Sequence, residues 1–248
     1  MSLEAVLGDP RLWRCGRALP VEAETIPSGF AEIDALLPGG GWPRGALTEI
    51  LTDLEGIGAL RLVIPALAHL SQSEKWLAWI SPPHLPYGPA LAAHGVALAR
   101  MLLVWGIGSP RERFWALEQS LRAGACSAVL AWPRGLDGRG LRRLQLAAEA
   151  GRSLGLLFRP LAARHEAAFA ALRLMLEPHG PLAAVSILKR RGGAGARPVY
   201  LDLRDPERSR FILNTPPFTA GTLALGFQRG VVQLSPLIKG GVHTPPAK

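Results

Sequence analysis

Cysteine is scarce. The 248 residues hold two, Cys15 and Cys126, far apart and with no histidine or further cysteine at metal-ligand spacing. A disulfide framework and a zinc site are therefore not expected. Cys126 opens the strand-like run CSAVLAW and reads as a small buried hydrophobe. Long apolar runs are also missing. No stretch approaches the roughly 18–20 residues needed to span a bilayer, so no membrane partner is expected. The opening residues, MSLEAVLGDPRLWR, place acids where a secretory leader would carry bases, and no apolar core follows. A cytoplasmic protein is expected. Lysine is rare as well: Lys75, Lys189, Lys239 and Lys248 are the only four among 28 bases, the other 24 being arginine. The six histidines lie near no partner at catalytic spacing, and no triad is expected.

What is present is an apolar, basic chain. Hydrophobic residues make up 48%, well above a disordered composition. The length suits one α/β domain with extensions. The net charge of +9 is uneven: residues 1–80 carry ten acids and six bases, residues 81–248 nine acids and twenty-two bases. Such an excess favours a polyanion or an acidic partner.

Residues 1–25 read as a leader with one apolar cluster around Leu12-Trp13. From Ile26 the chain alternates. The pattern predicts a helix after Ser28, strands at 46–51, 76–80, 101–105, 127–132 and 155–159, and helices at 59–71, 90–99, 111–123, 141–154 and 165–177. Strands joined by such helices imply βαβ units and a mostly parallel sheet. Residues 182–189 and 198–203, joined by RRGGAGAR, suit an antiparallel hairpin. Residues 205–248 contain six prolines and read as a loosely ordered tail. The expected division is thus a leader at 1–25, a core at 26–204 and a tail at 205–248.

The segment IPSGFAEIDALLPGGGWPRGALTEI, residues 26–50, resembles the start of the ATPase core of RecA-family recombinases. There a strand leads directly into a phosphate loop. The resemblance covers about residues 26–204 and implies a RecA-like P-loop core. The string GGGWPRGALTEIL, the earlier LWR and the later LRLVIPALA are similar to the ImuA family of RecA-like accessory proteins, sometimes grouped with the cell-division inhibitor SulA. That resemblance implies an SOS-induced role in mutagenic translesion DNA synthesis beside RecA, ImuB and an error-prone DnaE-type polymerase. The alternative is a SulA-like division inhibitor that binds the tubulin-like division protein.

A working phosphate loop needs G-x-x-x-x-G-K-[ST], whose lysine neutralises phosphate charge and whose hydroxyl holds Mg²⁺. Here the loop is TDLEGIGAL, spanning Thr52, Asp53, Glu55, Gly56, Gly58, Ala59 and Leu60. Neither register supplies the cation or the hydroxyl, and Asp53 and Glu55 would repel a triphosphate. The strand at 76–80 runs into Ser81-Pro82-Pro83, not a catalytic acid, and AVLAW ends in Trp132, not a metal-side aspartate. A degenerate loop, no cofactor, no enzymatic activity and a pseudo-ATPase are the expectations.

Two basic clusters are candidate DNA or partner contacts. Arg139, Arg142 and Arg143 share one helical face, and Lys189, Arg190, Arg191 and Arg197 surround the glycine-rich hairpin. A solvated face is the plainer explanation of each. Leu12, Trp13, Arg14 and Trp42 are candidate protein-docking residues because they sit in loop-like contexts. By the same resemblance the leader could dock on a neighbouring copy, giving a homo-oligomer, or on its own domain.

Overall fold

The computed structural model describes residues 24–203, apart from 168, 192 and 194–196, together with the backbone of 223–228 and 231–236. Two short strands come first, β1 (Thr25–Ile26) and β2 (Trp42–Pro43), paired antiparallel and bracketing the one-turn helix α1 (Ala31–Asp34). Ser28 fixes the start of this turn: its hydroxyl accepts from Phe30 N–H at 3.0 Å, and Asp34 accepts from Ser28 N–H at 2.9 Å.

The main sheet begins with β3 (Ala46–Leu51), buried at every position. Then follow α2 (Ala59–Ser71), β4 (Trp76–Ile80), α3 (Gly88–Ala93), β5 (Met101–Val104), α4 (Pro110–Arg122), β6 (Cys126–Ala131), α5 (Gly138–Gly151) and β7 (Leu154–Arg159). Strands β8 (Leu172–His179), β9 (Leu182–Lys189), β10 (Val199–Leu201), β11 (Leu223–Gln228) and β12 (Val231–Pro236) complete it. The ten strands lie in the order β10-β9-β8-β3-β7-β6-β4-β5-β12-β11.

Two apolar layers hold the sheet. On one face α2 buries Leu62, Val63, Leu67 and Leu70 against Ile50, Leu77, Trp79 and Leu156. On the other, α4 and α5 bury Leu117, Leu121, Leu141, Leu144 and Ala148 against Leu47, Ala78, Val129 and Leu157. Caps set the helix starts. Ser109 and Glu112 form a capping box at α4, with Pro110 at the first helical position, and Asp137 caps α5 through Gly140 N–H at 2.7 Å. Gly151 lets α5 close on α4, since a Cβ there would stand 1.9 Å from the Leu121 carbonyl oxygen.

Several expectations are corrected by this architecture. The sheet is mixed, with five parallel and four antiparallel pairings, not mostly parallel. No RecA-like P-loop core is assigned to it. The helix expected at 165–177 is a 3-10 turn, Leu161–His165, followed by strand β8. Leu172, Leu174 and Leu176 alternate into the core there, and the pairing with β3 overrides the helix propensity of the alanines and leucines. Within the stretch read as tail, β11 and β12 form a hairpin whose β12 pairs antiparallel with β5.

Candidate functional site

The parallel strands β3, β4, β5, β6 and β7 all end at one edge of the sheet. Carboxyl edges of this kind gather loops that can contact a ligand or partner. Backbone bonds tie the loops together here. Thr52 N–H donates to the Arg159 carbonyl at 3.0 Å, Leu161 N–H to Asp53 Oδ1 at 2.8 Å, and Ser81 N–H to the Val104 carbonyl at 2.8 Å. His84 Nε2 lies 3.4 Å from Glu55 Oε2, so the loops after β3 and β4 touch. Ser81 sits at φ 47°, a strained setting for a residue with a Cβ, and its hydroxyl is buried without a partner among the described residues.

The loop after β3 turns on two glycines with positive φ. Gly56 has φ 78° and Gly58 has φ 96° at the start of α2. What fills the space is aliphatic: a Cβ on Gly58 would meet Leu203 Cβ at 2.8 Å, so Leu203 packs directly on this turn. Arg61 is turned to the same residue, donating from Nη1 to the Leu203 carbonyl at 3.1 Å, and is not free to reach back to the loop. Ala59 and Leu60 pack on the core. At the end of β6, Trp132 stacks between Trp79 (5.9 Å) and Phe158 (4.8 Å). Three stacked aromatic rings therefore lie at the end of β6. Among the described residues no group of three or more His, Cys, Asp or Glu side chains could hold a metal ion. Nor is any described helix long and apolar enough to cross a membrane.

The edge instead presents exposed apolar side chains: Leu54 after β3, Leu85 and Tyr87 after β4, and Trp105 after β5. Tyr87 is 72% exposed. Sequence reasoning missed them, because a loop leucine or tyrosine carries no spacing signal.

Just inside the edge lies a buried ion network that sequence reasoning also missed. Glu49 accepts from Arg159 Nη1 at 2.5 Å and from Arg173 Nε at 2.8 Å. Arg159 also donates to Glu166 Oε2 at 2.7 Å and to the Leu136 carbonyl at 3.0 Å. Burial works against the Arg159 charge, but its hydrogen bonds to Glu49 and Glu166 outweigh it and raise its pKa. The legible hint was a charged residue set among apolar ones in each strand: Glu49 in β3, Arg159 in β7 and Arg173 in β8.

The other residues singled out by sequence fall elsewhere. Trp42 is fully buried in β2, opposite Ile26, and is not an exposed docking residue; its loop-like glycine context hid the β1–β2 pairing. Leu12, Trp13 and Arg14 lie outside the described residues. Arg139 and Arg142 are exposed on α5, while Arg143 donates to buried Glu118 at 2.5 Å and covers the Phe114 ring at 4.9 Å. Lys189, Arg190 and Arg191 line an open cavity of about 220 Å³ at the opposite edge, with Gln145, Glu149 and Phe169. Arg190 is committed to the Leu36 carbonyl, and Arg197 is exposed. Burial, then the nearby Arg173 charge, pushes the Lys189 pKa down.

These features define a mixed-sheet α/β chain with an apolar loop rim and a glycine turn packed by Leu203. Residues 45–155 match the family model described as cell division inhibitor SulA. Cell division inhibitor SulA of Edwardsiella piscicida is 37% identical over 99 residues, 40% of this chain and 58% of that protein. The SulA protein of Pectobacterium atrosepticum is 32% identical over 124 residues, 50% of this chain and 73% of that protein. Among solved structures, SulA from Pseudomonas aeruginosa is similar at 26% identity over 46% of this chain and 97% of that chain, with a TM-score of 0.38. The chain therefore spans little more than half of the first of these relatives. It belongs to the SulA family.

This overturns the ImuA resemblance and what it implied. The string GGGWPRGALTEIL forms a glycine turn, strand β2 and strand β3. Translesion synthesis and DNA repair are withdrawn, as are RecA, ImuB, a DnaE-type polymerase and DNA as partners. The relatives carry the name of a division inhibitor, which describes no catalysed reaction.

Proposed function

We propose that this chain is a SulA-type inhibitor of cell division, acting in the cytoplasm after DNA damage by binding the tubulin-like division protein. It works stoichiometrically and catalyses nothing. One observation carries the reading: the segment matched to the SulA family contains Leu54, Leu85, Tyr87 and Trp105, the exposed apolar side chains of the carboxyl edge. A rim of this kind suits a protein partner, because aromatic anchors supply much of the energy of association. The loop after β3 is read as a non-catalytic turn, since Ala59 and Leu60 after Gly58 offer a triphosphate neither cation nor hydroxyl, and Leu203 packs on Gly58.

Induced expression in a bacterium is the test. The expected outcome is long undivided filaments with dispersed division rings, relieved by Tyr87→Ala combined with Trp105→Ala. Normal division at high expression levels sinks the reading.

A further inference from the structure

The outer face of the α4–α5 layer has a surplus of unmatched positive charge around exposed apolar side chains. Trp115 on α4 is 63% exposed, although tryptophan is costly to leave in water. Leu146 on α5 is 54% exposed. Arg111 stands one turn before Trp115, and Arg142 one turn before Leu146. Among the described residues the side chains of Arg111, Arg139 and Arg142 make no hydrogen bond or ion pair.

The acids of the two helices are already engaged within the chain. Glu112 accepts from Ser109 in the capping box, and Glu118 is buried between Arg122 and Arg143. Glu149 accepts from Gln145 Nε2 at 2.9 Å, and Asp137 caps α5. Arg111 and Arg139 also occupy the first turns of their helices, where the helix dipole disfavours cations. Folding alone gives no reason to place them there.

We propose that this face docks an acidic amphipathic segment of a partner protein, with Trp115 and Leu146 as apolar anchors and Arg111, Arg139 and Arg142 pairing its carboxylates. The occupant is not supplied by the chain itself. Residues 1–23 carry three acids and three bases, residues 204–222 two acids and three bases, and residues 237–248 two lysines and no acid. A second copy, at net +9, brings the wrong overall sign. A phosphate backbone would pair the arginines but leave Leu146 nothing to bury. An acidic amphipathic helix meets both demands. Arg111 and Arg139 open α4 and α5 beside the carboxyl edge, where those helices follow β5 and β6, while Trp115 and Leu146 lie farther along the helix layer.

The test uses the full chain and a fluorescein-labelled synthetic helix with glutamates flanking a leucine-phenylalanine stripe, followed by anisotropy. Binding should weaken about tenfold when the peptide's glutamates are changed to glutamine, and similarly for the chain variant Arg111→Glu with Arg139→Glu. Trp115→Ala should also weaken it. Because acids suit helix first turns, the double variant should unfold at the same or a higher temperature. That result separates a binding role from a structural one. The proposal is overturned if the glutamine peptide binds as tightly as the acidic one. It is also overturned if the double variant binds unchanged, or if a duplex DNA oligomer displaces the peptide at lower concentration. Sedimentation showing the face closed by a second copy overturns it too.

Discussion

Glu49 in β3 and Arg173 in β8 meet inside the sheet at 2.8 Å, both buried, and 124 residues apart in sequence. With Arg159 on the other side, Glu49 joins three adjacent strands through one carboxylate. Residues 45–155 are the part matched to the SulA family, so this carboxylate ties that segment to strand β8 beyond it.

Glu49→Gln leaves two buried guanidinium groups facing a neutral amide. Breaking a buried pair in this way costs about 3–5 kcal/mol. Urea unfolding should show a midpoint lowered accordingly, and Glu166→Gln, whose side chain is half exposed, should cost much less.

Gly58→Ala introduces a Cβ at φ 96° and 2.8 Å from Leu203 Cβ. The expected loss is about 1–3 kcal/mol. Gly56→Ala shares the positive φ but meets nothing within 4 Å, and should lose only about 1 kcal/mol. A double-mutant cycle with Leu203→Ala should show coupling at Gly58 and none at Gly56.

Trp42 and Trp115 should respond oppositely to truncation. Trp42→Ala empties a fully buried site and should cost about 3–5 kcal/mol. Trp115→Ala should stay within about 0.5 kcal/mol of the parent, because the ring faces solvent. Thermal unfolding of both variants checks the contrast.

Cys126 supplies a pH signature. Burial pushes its thiol up from 9.0 to about 11, with the Lys75 charge opposing slightly. The folded state therefore favours the protonated thiol. Its contribution to stability is complete below about pH 9 and is lost as pH rises toward 11. At pH 8 a thiol reagent should modify Cys126 only as fast as the protein opens, so urea should accelerate the reaction.

The alternating core was legible because local pattern and tertiary burial agree there. ALTEIL, WLAWI and the helix at 59–71 are strongly apolar and bounded by glycine, serine or acid-rich turns, and the structure places them at those residues. Residues 165–177 misled because AAFAALRLML satisfies helix propensity, whereas its fate is set by an open edge of β3 far away in sequence. The proline count concealed the β11–β12 hairpin, since VVQLSP reads as a strand only once β5 is available to pair with it. The Glu49 network was illegible for a related reason: three charges in three separate strands acquire meaning only when those strands become neighbours. The glycines before Trp42 make its surroundings look loop-like, but they say nothing about which side chains there are buried. The family resemblance failed differently. The same turn and strand serve proteins of unlike function, and only the longer match across 45–155 separates them.

The most direct measurement of the central claim is a titration of purified division protein with purified chain, followed by polymer sedimentation. The account predicts that polymer disappears as the chain approaches about one per division-protein subunit, without added ATP, and that Tyr87→Ala with Trp105→Ala shifts the curve to higher concentration. Polymer that persists undiminished at several-fold excess of the chain would contradict it.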